Sequence, residues 1–260
     1  MMKATEIVVV GAGNMATRLS IALVECGYTI VQVYSRTIES ARLLASRLGE
    51  QVLYTNNLDD IYKGAGLYIF SISDSALPDV VSRMPSNNAL WVHTAGSMPM
   101  EVLAHKTPRY GVLYPMQTVS RERDTNWSEI PIFVEASTPD ALHIIEQIAT
   151  SLSTNVKQAT SQQRKALHLA AVFACNFSNH MYAIAEKLLQ DQGLDFDVMK
   201  LLIRETERKA EVISPRMAQT GPAVRNDVNV MEKHLQLLQD TPEAALYTLI
   251  SENIDKYKKL

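Results

Sequence analysis

The chain has 260 residues, 47% hydrophobic and 20% charged, with a formal net charge of −3 at pH 7. That length and mixture supports one or two packed domains and excludes a collagen-like, low-complexity or disordered polymer. The charge balance leaves no global basic field for nucleic acid or an anionic membrane surface.

Residues 7–10 form a continuous β-branched run, the pattern of a strand buried on both faces of a parallel sheet. It leads directly into Gly11-Ala12-Gly13-Asn14-Met15-Ala16, followed by a helical apolar pattern that Gly27 is placed to end. A second strand is expected at 30–34 and a helix from about 39 to 48. Further strands are expected at 52–54, 67–72, 90–93, 110–113 and 132–134, with short helices or turns between them. Alternating strands and helices predict an α/β fold with an N-terminal, Rossmann-like, doubly wound sheet.

The pattern changes after about residue 155. No proline lies between Pro139 and Pro215, and residues 162–191 read as one long helix. Helices are also expected at 196–213, 227–239 and 242–257, punctuated by Gly193 and the Thr220-Gly221-Pro222 turn. The expected organisation is a dinucleotide-binding domain over 1–157 and an all-helical substrate domain over 158–260. The skew of the glycines, eight of ten within the first 111 residues, fits that division.

Other features are exclusions. Cys26 and Cys175 make no metal or redox spacing, and the six histidines show no zinc-type spacing, so no metal is expected. Two thiols and no secretory signal point to a reducing cytoplasm. The longest apolar run, 167–177, is too short to span a bilayer.

Strand, glycine loop and helix in that order carry a dinucleotide fingerprint. Gly11 permits the tight turn, Gly13 lets the backbone approach a pyrophosphate, and Ala16 takes the third position, where only close packing is required. The amides of Asn14 and Met15 then face the phosphates at the helix start. After the second strand, an NAD-type site places Asp or Glu; this chain has Ser35-Arg36-Thr37. A planar cation and two hydroxyls suit a 2′-phosphate, so NADP(H) is expected.

Polar clusters follow three later strands: Ser71 to Ser75, His93 to Ser97, and Tyr114 to Thr118. Ser71 and Ser73 are expected near the nicotinamide ribose, and Ser97 beside a small polar substrate. On the long helix, Arg164, His168, Cys175, Asn176 and Asn179 interrupt an apolar surface. His168 is the candidate proton donor and Asn176, eight residues on, the candidate orienting amide. Arg225 offers a fork for a substrate carboxylate, and Asp227 an N-cap for the next helix.

The N-terminal half resembles the NADP-binding domain of pyrroline-5-carboxylate reductase and the 6-phosphogluconate and β-hydroxyacid dehydrogenases. Over nearly its whole length the chain resembles Rossmann-like bacterial proteins with a C-terminal helical domain of unknown function. The residues that carry this are Gly11 to Met15, Ser73-Asp74-Ser75, His93 to Ser97, Tyr114 to Thr118, His168 to Asn176, and Thr220-Gly221-Pro222 with Arg225, Asp227 and His234. The dehydrogenase relatives carry a lysine and, one turn later, an asparagine on the interdomain helix; here Lys165 is followed by Leu169. Where the closer family has His-Pro, this chain has Tyr114-Pro115. The resemblance implies a homodimer. It also implies an NADPH-dependent reductase of a small carboxylate-bearing carbonyl or imine. The alternative expectation is a non-catalytic NADP(H)-binding sensor.

Overall fold

The computed structural model describes residues 6–120 and 126–258. An eight-stranded sheet runs in the order β3-β2-β1-β4-β5-β6-β7-β8. Its strands are β1 (Glu6–Val10), β2 (Thr29–Tyr34), β3 (Leu53–Thr55), β4 (Leu67–Phe70), β5 (Leu90–His93), β6 (Tyr110–Pro115), β7 (Ile132–Ala136) and β8 (Val156–Gln158). Neighbours pair in parallel, except that β7 lies antiparallel to β6.

Alternation along each central strand feeds two cores. Ile7, Val9, Leu67 and Ile69 pack on one face with helices α1 (Asn14–Glu25), α2 (Ile38–Leu48) and α4 (Pro139–Leu152). Val8, Val10, Tyr68, Phe70 and Trp91 pack on the other with α3 (Leu77–Arg83). Burial on both faces is why β1 and β4 carry no polar side chain after Glu6 except the Tyr68 hydroxyl. That hydroxyl donates to the Tyr62 carbonyl at 2.7 Å.

The hydrophobic pattern alone does not single out α4 or β8. Thr138 caps α4 by accepting from the Ala141 amide, Pro139 fills its first turn, and Ala141, Ile145, Ile148, Ala149 and Leu152 are buried. The antiparallel β7 is the other departure from simple alternation. Among the described residues no α-helix stands between β6 and β7, and the two pair antiparallel.

The chain divides into two compact units, residues 1–175 and 176–260. The first holds the sheet, α1 to α4 and α5 (Ser161–Ala171). Thr160 and Gln163 form a capping box at the start of α5. The run expected as one helix is α5, a π turn over Val172–Phe177, and α6 (Ser178–Gln190). The 3.6-residue repeat behind the His168–Asn176 spacing therefore gives way to a wider turn between them.

The second unit also contains α7 (Lys200–Val212), α8 (Pro215–Ala218), α9 (Pro222–Arg225), α10 (Val228–Leu237) and α11 (Pro242–Lys258). Asp227 caps α10, accepting from the Val230 amide at 3.3 Å. His234 and Tyr247 share a hydrogen bond of 2.9 Å, and Lys187 pairs with Glu243 at 3.3 Å. No described helix is long and apolar enough to cross a membrane.

Candidate active site

β1 lies between β2 and β4, where the strand order reverses, so the crevice at its carboxyl end is the ligand position of a doubly wound sheet. Gly11 has φ +128°, and its amide donates to the Tyr34 carbonyl at 2.8 Å. A side chain there would overlap the carbonyl oxygen of Ser71, so only glycine joins β1 to α1 on this path. Gly13 N-caps α1 without a side-chain bond, and a Cβ built on it meets nothing within 4 Å. The first amides of α1 are thus left for an anion.

Asn14 turns its side-chain amide elsewhere, donating to the Val119 carbonyl at 3.1 Å. Met15 is half-buried and packs against the core. These two residues bring backbone amides to the loop, while their side chains serve the fold.

At the end of β2, the Ser35 amide donates to the Thr55 carbonyl at 3.1 Å. Arg36 is exposed and makes no ion pair among the described residues. Thr37 stands at the N-cap of α2 but donates its hydroxyl to Ser40 Oγ at 2.8 Å. The end of β2 therefore offers a free guanidinium and hydroxyls beside a second uncapped helix start, and the next carboxylate along the chain is Glu39, inside α2. At the end of β4, buried Ser71 accepts from Thr94 Oγ1 at 3.1 Å, and the Ser73 and Ser75 hydroxyls lie 3.3 Å apart.

A second cluster forms where α5 crosses the ends of β5 and β6. Arg164, wholly buried, directs Nη1 to the carbonyls of Ala95, Gly96 and Met98 at 2.9, 3.0 and 2.6 Å. Its Nη2 meets Glu135 Oε2 at 3.1 Å and Ser161 Oγ at 3.0 Å. Glu135 also accepts from the Ser161 amide at 2.8 Å and hydroxyl at 2.7 Å. The guanidinium fork thereby clamps the loop after β5 to α5, and Glu135 neutralises it.

One turn along α5, His168 lies against that loop. A Cβ on Gly96 would come within 2.5 Å of His168 Nδ1, so the missing side chain makes the space the imidazole fills. The same Nδ1 is 3.2 Å from Tyr114 Oη, with the two rings edge to face. Burial pushes the Tyr114 phenol above its usual value of 10, with Arg164 opposing and Asp74 adding to the rise. Ser97 Oγ donates to Asp74 Oδ2, leaving the hydroxyl oxygen only acceptor capacity.

His93 is buried beneath this cluster, its Nδ1 accepting from the Ala95 amide at 3.1 Å. Burial, reinforced by the Arg164 charge, pushes it down to about 4. It is a neutral strut supporting the loop.

His168 and Ser97 are thus brought to one cluster, with Tyr114, Gly96, Asp74 and Arg164. Asn176 is exposed on the π turn at the start of the second unit. Arg225 is exposed at the last position of α9, and Asp227 caps α10. The contact of Tyr114 with His168 was hidden because residues 54 apart meet only after β6 and α5 pack. The clamp had one signal in the sequence: an arginine interrupting the apolar face of the long helix.

Comparison with known proteins matches two separate stretches of the chain. Residues 1–83 match the family described as shikimate/quinate 5-dehydrogenase, and residues 130–254 match a domain of unknown function, DUF2520. No curated protein matches. A structure named "putative NADP oxidoreductase BF3122" from Bacteroides fragilis is 50% identical, with 97% of this chain and 98% of that one aligned at a TM-score of 0.89. Protein TM1727 from Thermotoga maritima is 21% identical over 98% of this chain and 100% of its own, with a TM-score of 0.78. A 1-pyrroline-5-carboxylate reductase from Streptococcus pyogenes is 12% identical over 98% of this chain and 99% of its own, with a TM-score of 0.63. The last two share the fold.

Proposed function

The chain belongs to the family of the Bacteroides fragilis protein BF3122, and on that footing we propose that it is an NADP(H)-dependent oxidoreductase. Its proposed substrate is a small carboxylate-bearing compound, reduced at a C=O or C=N bond. The observation that carries the reading is the uncapped start of α1 behind Gly11 and Gly13, at the strand-order reversal, with unpaired Arg36 at the end of β2. These residues fit the group: amides for the pyrophosphate and a guanidinium with hydroxyls for the 2′-phosphate.

When bound, the reduced nicotinamide supplies hydride. The protein's own part is to orient the acceptor and deliver a proton. Gly11, Gly13 and the amides of Asn14 and Met15 hold the pyrophosphate; Ser35, Arg36 and Thr37 hold the 2′-phosphate. Ser71 and Ser73 border the nicotinamide ribose. His168 gives the proton to the atom left negative. Ser97 orients the substrate as an acceptor, because its hydrogen already serves Asp74. Asn176 is assigned as an orienting amide and Arg225 as the carboxylate fork. The protein acts as a homodimer, a reading supported by the apolar side chains left uncovered on the second unit, Val212 and Leu237 among them.

Equilibrium titration of the full chain with NADPH and NADH, followed by nucleotide fluorescence, tests the cofactor assignment. Arg36→Ala is expected to weaken NADPH roughly 10- to 150-fold, the worth of a charge-assisted contact of about 1.5–3 kcal/mol, and to leave NADH nearly unchanged. Equal weakening of both nucleotides would remove the 2′-phosphate from Arg36.

A further inference from the structure

We propose that Tyr114 is a positioning residue that keeps His168 loaded, its phenol donating to Nδ1 so that Nε2 carries the proton the site delivers. The inference rests on the reductase reading above for what the proton is used for, but not for where it sits.

A neutral imidazole holds one proton on one of two nitrogens, and the partner of the other nitrogen decides which. Here the partner of Nδ1 is the Tyr114 hydroxyl at 3.2 Å. A phenol both donates and accepts, so its own environment must be weighed. Every charged or titratable group identified around it lies on a neighbouring element. Arg164 is on α5 with His168, Asp74 follows β4, Glu135 on β7 is paired with Arg164, and His93 on β5 is held neutral by burial. Their balance with burial keeps the phenol protonated well past neutrality. A protonated phenol beside an unprotonated ring nitrogen donates to it, and the ring's proton then resides on Nε2. Nε2 has no hydrogen-bond partner among the described residues.

This arrangement answers a chemical difficulty in using His168 as the acid. An ordinary imidazole is largely unprotonated above about pH 6.5, and a neutral ring that gives up its last proton becomes an imidazolate. With Tyr114 behind it, both problems are met in one concerted transfer. With the hydride that a bound reduced nicotinamide would supply to the substrate carbon, the π electrons of the C=O or C=N bond would move to the heteroatom. That atom takes the Nε2 proton while Nδ1 takes the Tyr114 proton. The imidazole stays neutral with its proton moved across the ring, and the charge ends on the phenolate, which the positive charge of Arg164 favours. Solvent then reprotonates the pair.

Placement of the ring depends on three further features, each preceding the reaction. Gly96 leaves room for it, Arg164 ties α5 to the loop one turn away, and Tyr114 packs on Phe133 with ring centroids 6.5 Å apart. Tyr114→Phe keeps this packing and removes only the donor.

The test is ¹⁵N NMR of the His168 ring in the full chain, wild type and Tyr114→Phe, titrated from pH 5 to 9 with melting temperature as a folding control. The wild type is expected to show the Nε2–H tautomer, and Tyr114→Phe to shift toward a tautomer mixture while melting within a few degrees of wild type. A wild-type Nδ1–H tautomer overturns the proposal, whatever the protein reduces, because Nε2 would then be empty. An unchanged tautomer in Tyr114→Phe also overturns it. If NADPH is consumed with an oxo acid or cyclic imine, the alkaline limb of kcat in the wild type lies near the phenol range. In Tyr114→Phe it moves to lower pH. The Nε2–H tautomer without any NADPH consumption would instead count against the reductase reading and the proton's use, while leaving the positioning claim standing.

Discussion

The two compact units bury their residues in opposite ways. In the first, β1, β4 and β5 are covered on both faces, and even an arginine is fully enclosed, with its charge met by Glu135. In the second, the buried apolar residues among those described are Ala223 and Leu238, while Val212 and Leu237 are each 83% exposed. A doubly wound sheet supplies two faces for helices to cover, whereas short amphipathic helices need an opposing surface for the stripe each presents. The central strands of the first unit find their packing partners within it. Exposed apolar side chains of the second, Val212 and Leu237 among them, are the surface that the proposed homodimer would cover.

The largest expected effect probes the enclosed arginine. Arg164→Ala leaves Glu135 without its cation and three carbonyls without this donor, and removal of one member of a buried pair costs about 3–5 kcal/mol. Urea unfolding should show that loss, and a cost under about 1 kcal/mol would mean that the clamp is not structural.

The next effect is a pH dependence from His93. Its folded-state value is about 4, against 6.5 for the unfolded chain, so between these values the unfolded chain binds the extra proton. Its contribution to stability is complete above about pH 6.5 and is lost as pH falls toward 4. The difference of 2.5 units corresponds to about 3 kcal/mol. Unfolding midpoints measured between pH 4 and 7 should fall with acid, and His93→Gln should flatten the slope. A wild-type slope equal to that of His93→Gln would sink the assignment.

The smallest effect on the fold, and the one aimed at the second unit, concerns association. Val212→Glu with Leu237→Glu places charge on two exposed apolar positions and should leave the melting of the first unit almost unchanged. Sedimentation velocity is expected to show a dimer for the wild type and a larger monomer fraction for the double variant. A wild-type monomer at the same concentration would break the contrast between the units.

Much of the first unit was legible in the sequence, because its signals are local. Ile7 to Val10, Gly11 and Gly13 announce a strand, a turn and a helix start by residue type alone, and the Asp227 cap is equally local. What escaped depends on long-range meetings. Antiparallel β7 is set by its pairing with β6, and α4 blends into an apolar stretch without a strong boundary except Pro139. In the site, His168 stood out as polar on an apolar helix. Its partners Gly96 and Tyr114 are 72 and 54 residues away along the chain, and no spacing rule joins them. The part of Gly96 is steric, giving the imidazole room, and no local signal announces it.

The most direct measurement of the central claim is NADPH consumption by the full chain over 2-oxo acids and cyclic imines, with His168→Ala alongside. The account predicts turnover by the wild type with at least one of these compounds, and a loss of about 10²–10⁴-fold in His168→Ala with NADPH affinity retained. Tight NADPH binding with no turnover on any of them would contradict it, and would make the protein a nucleotide-binding sensor instead.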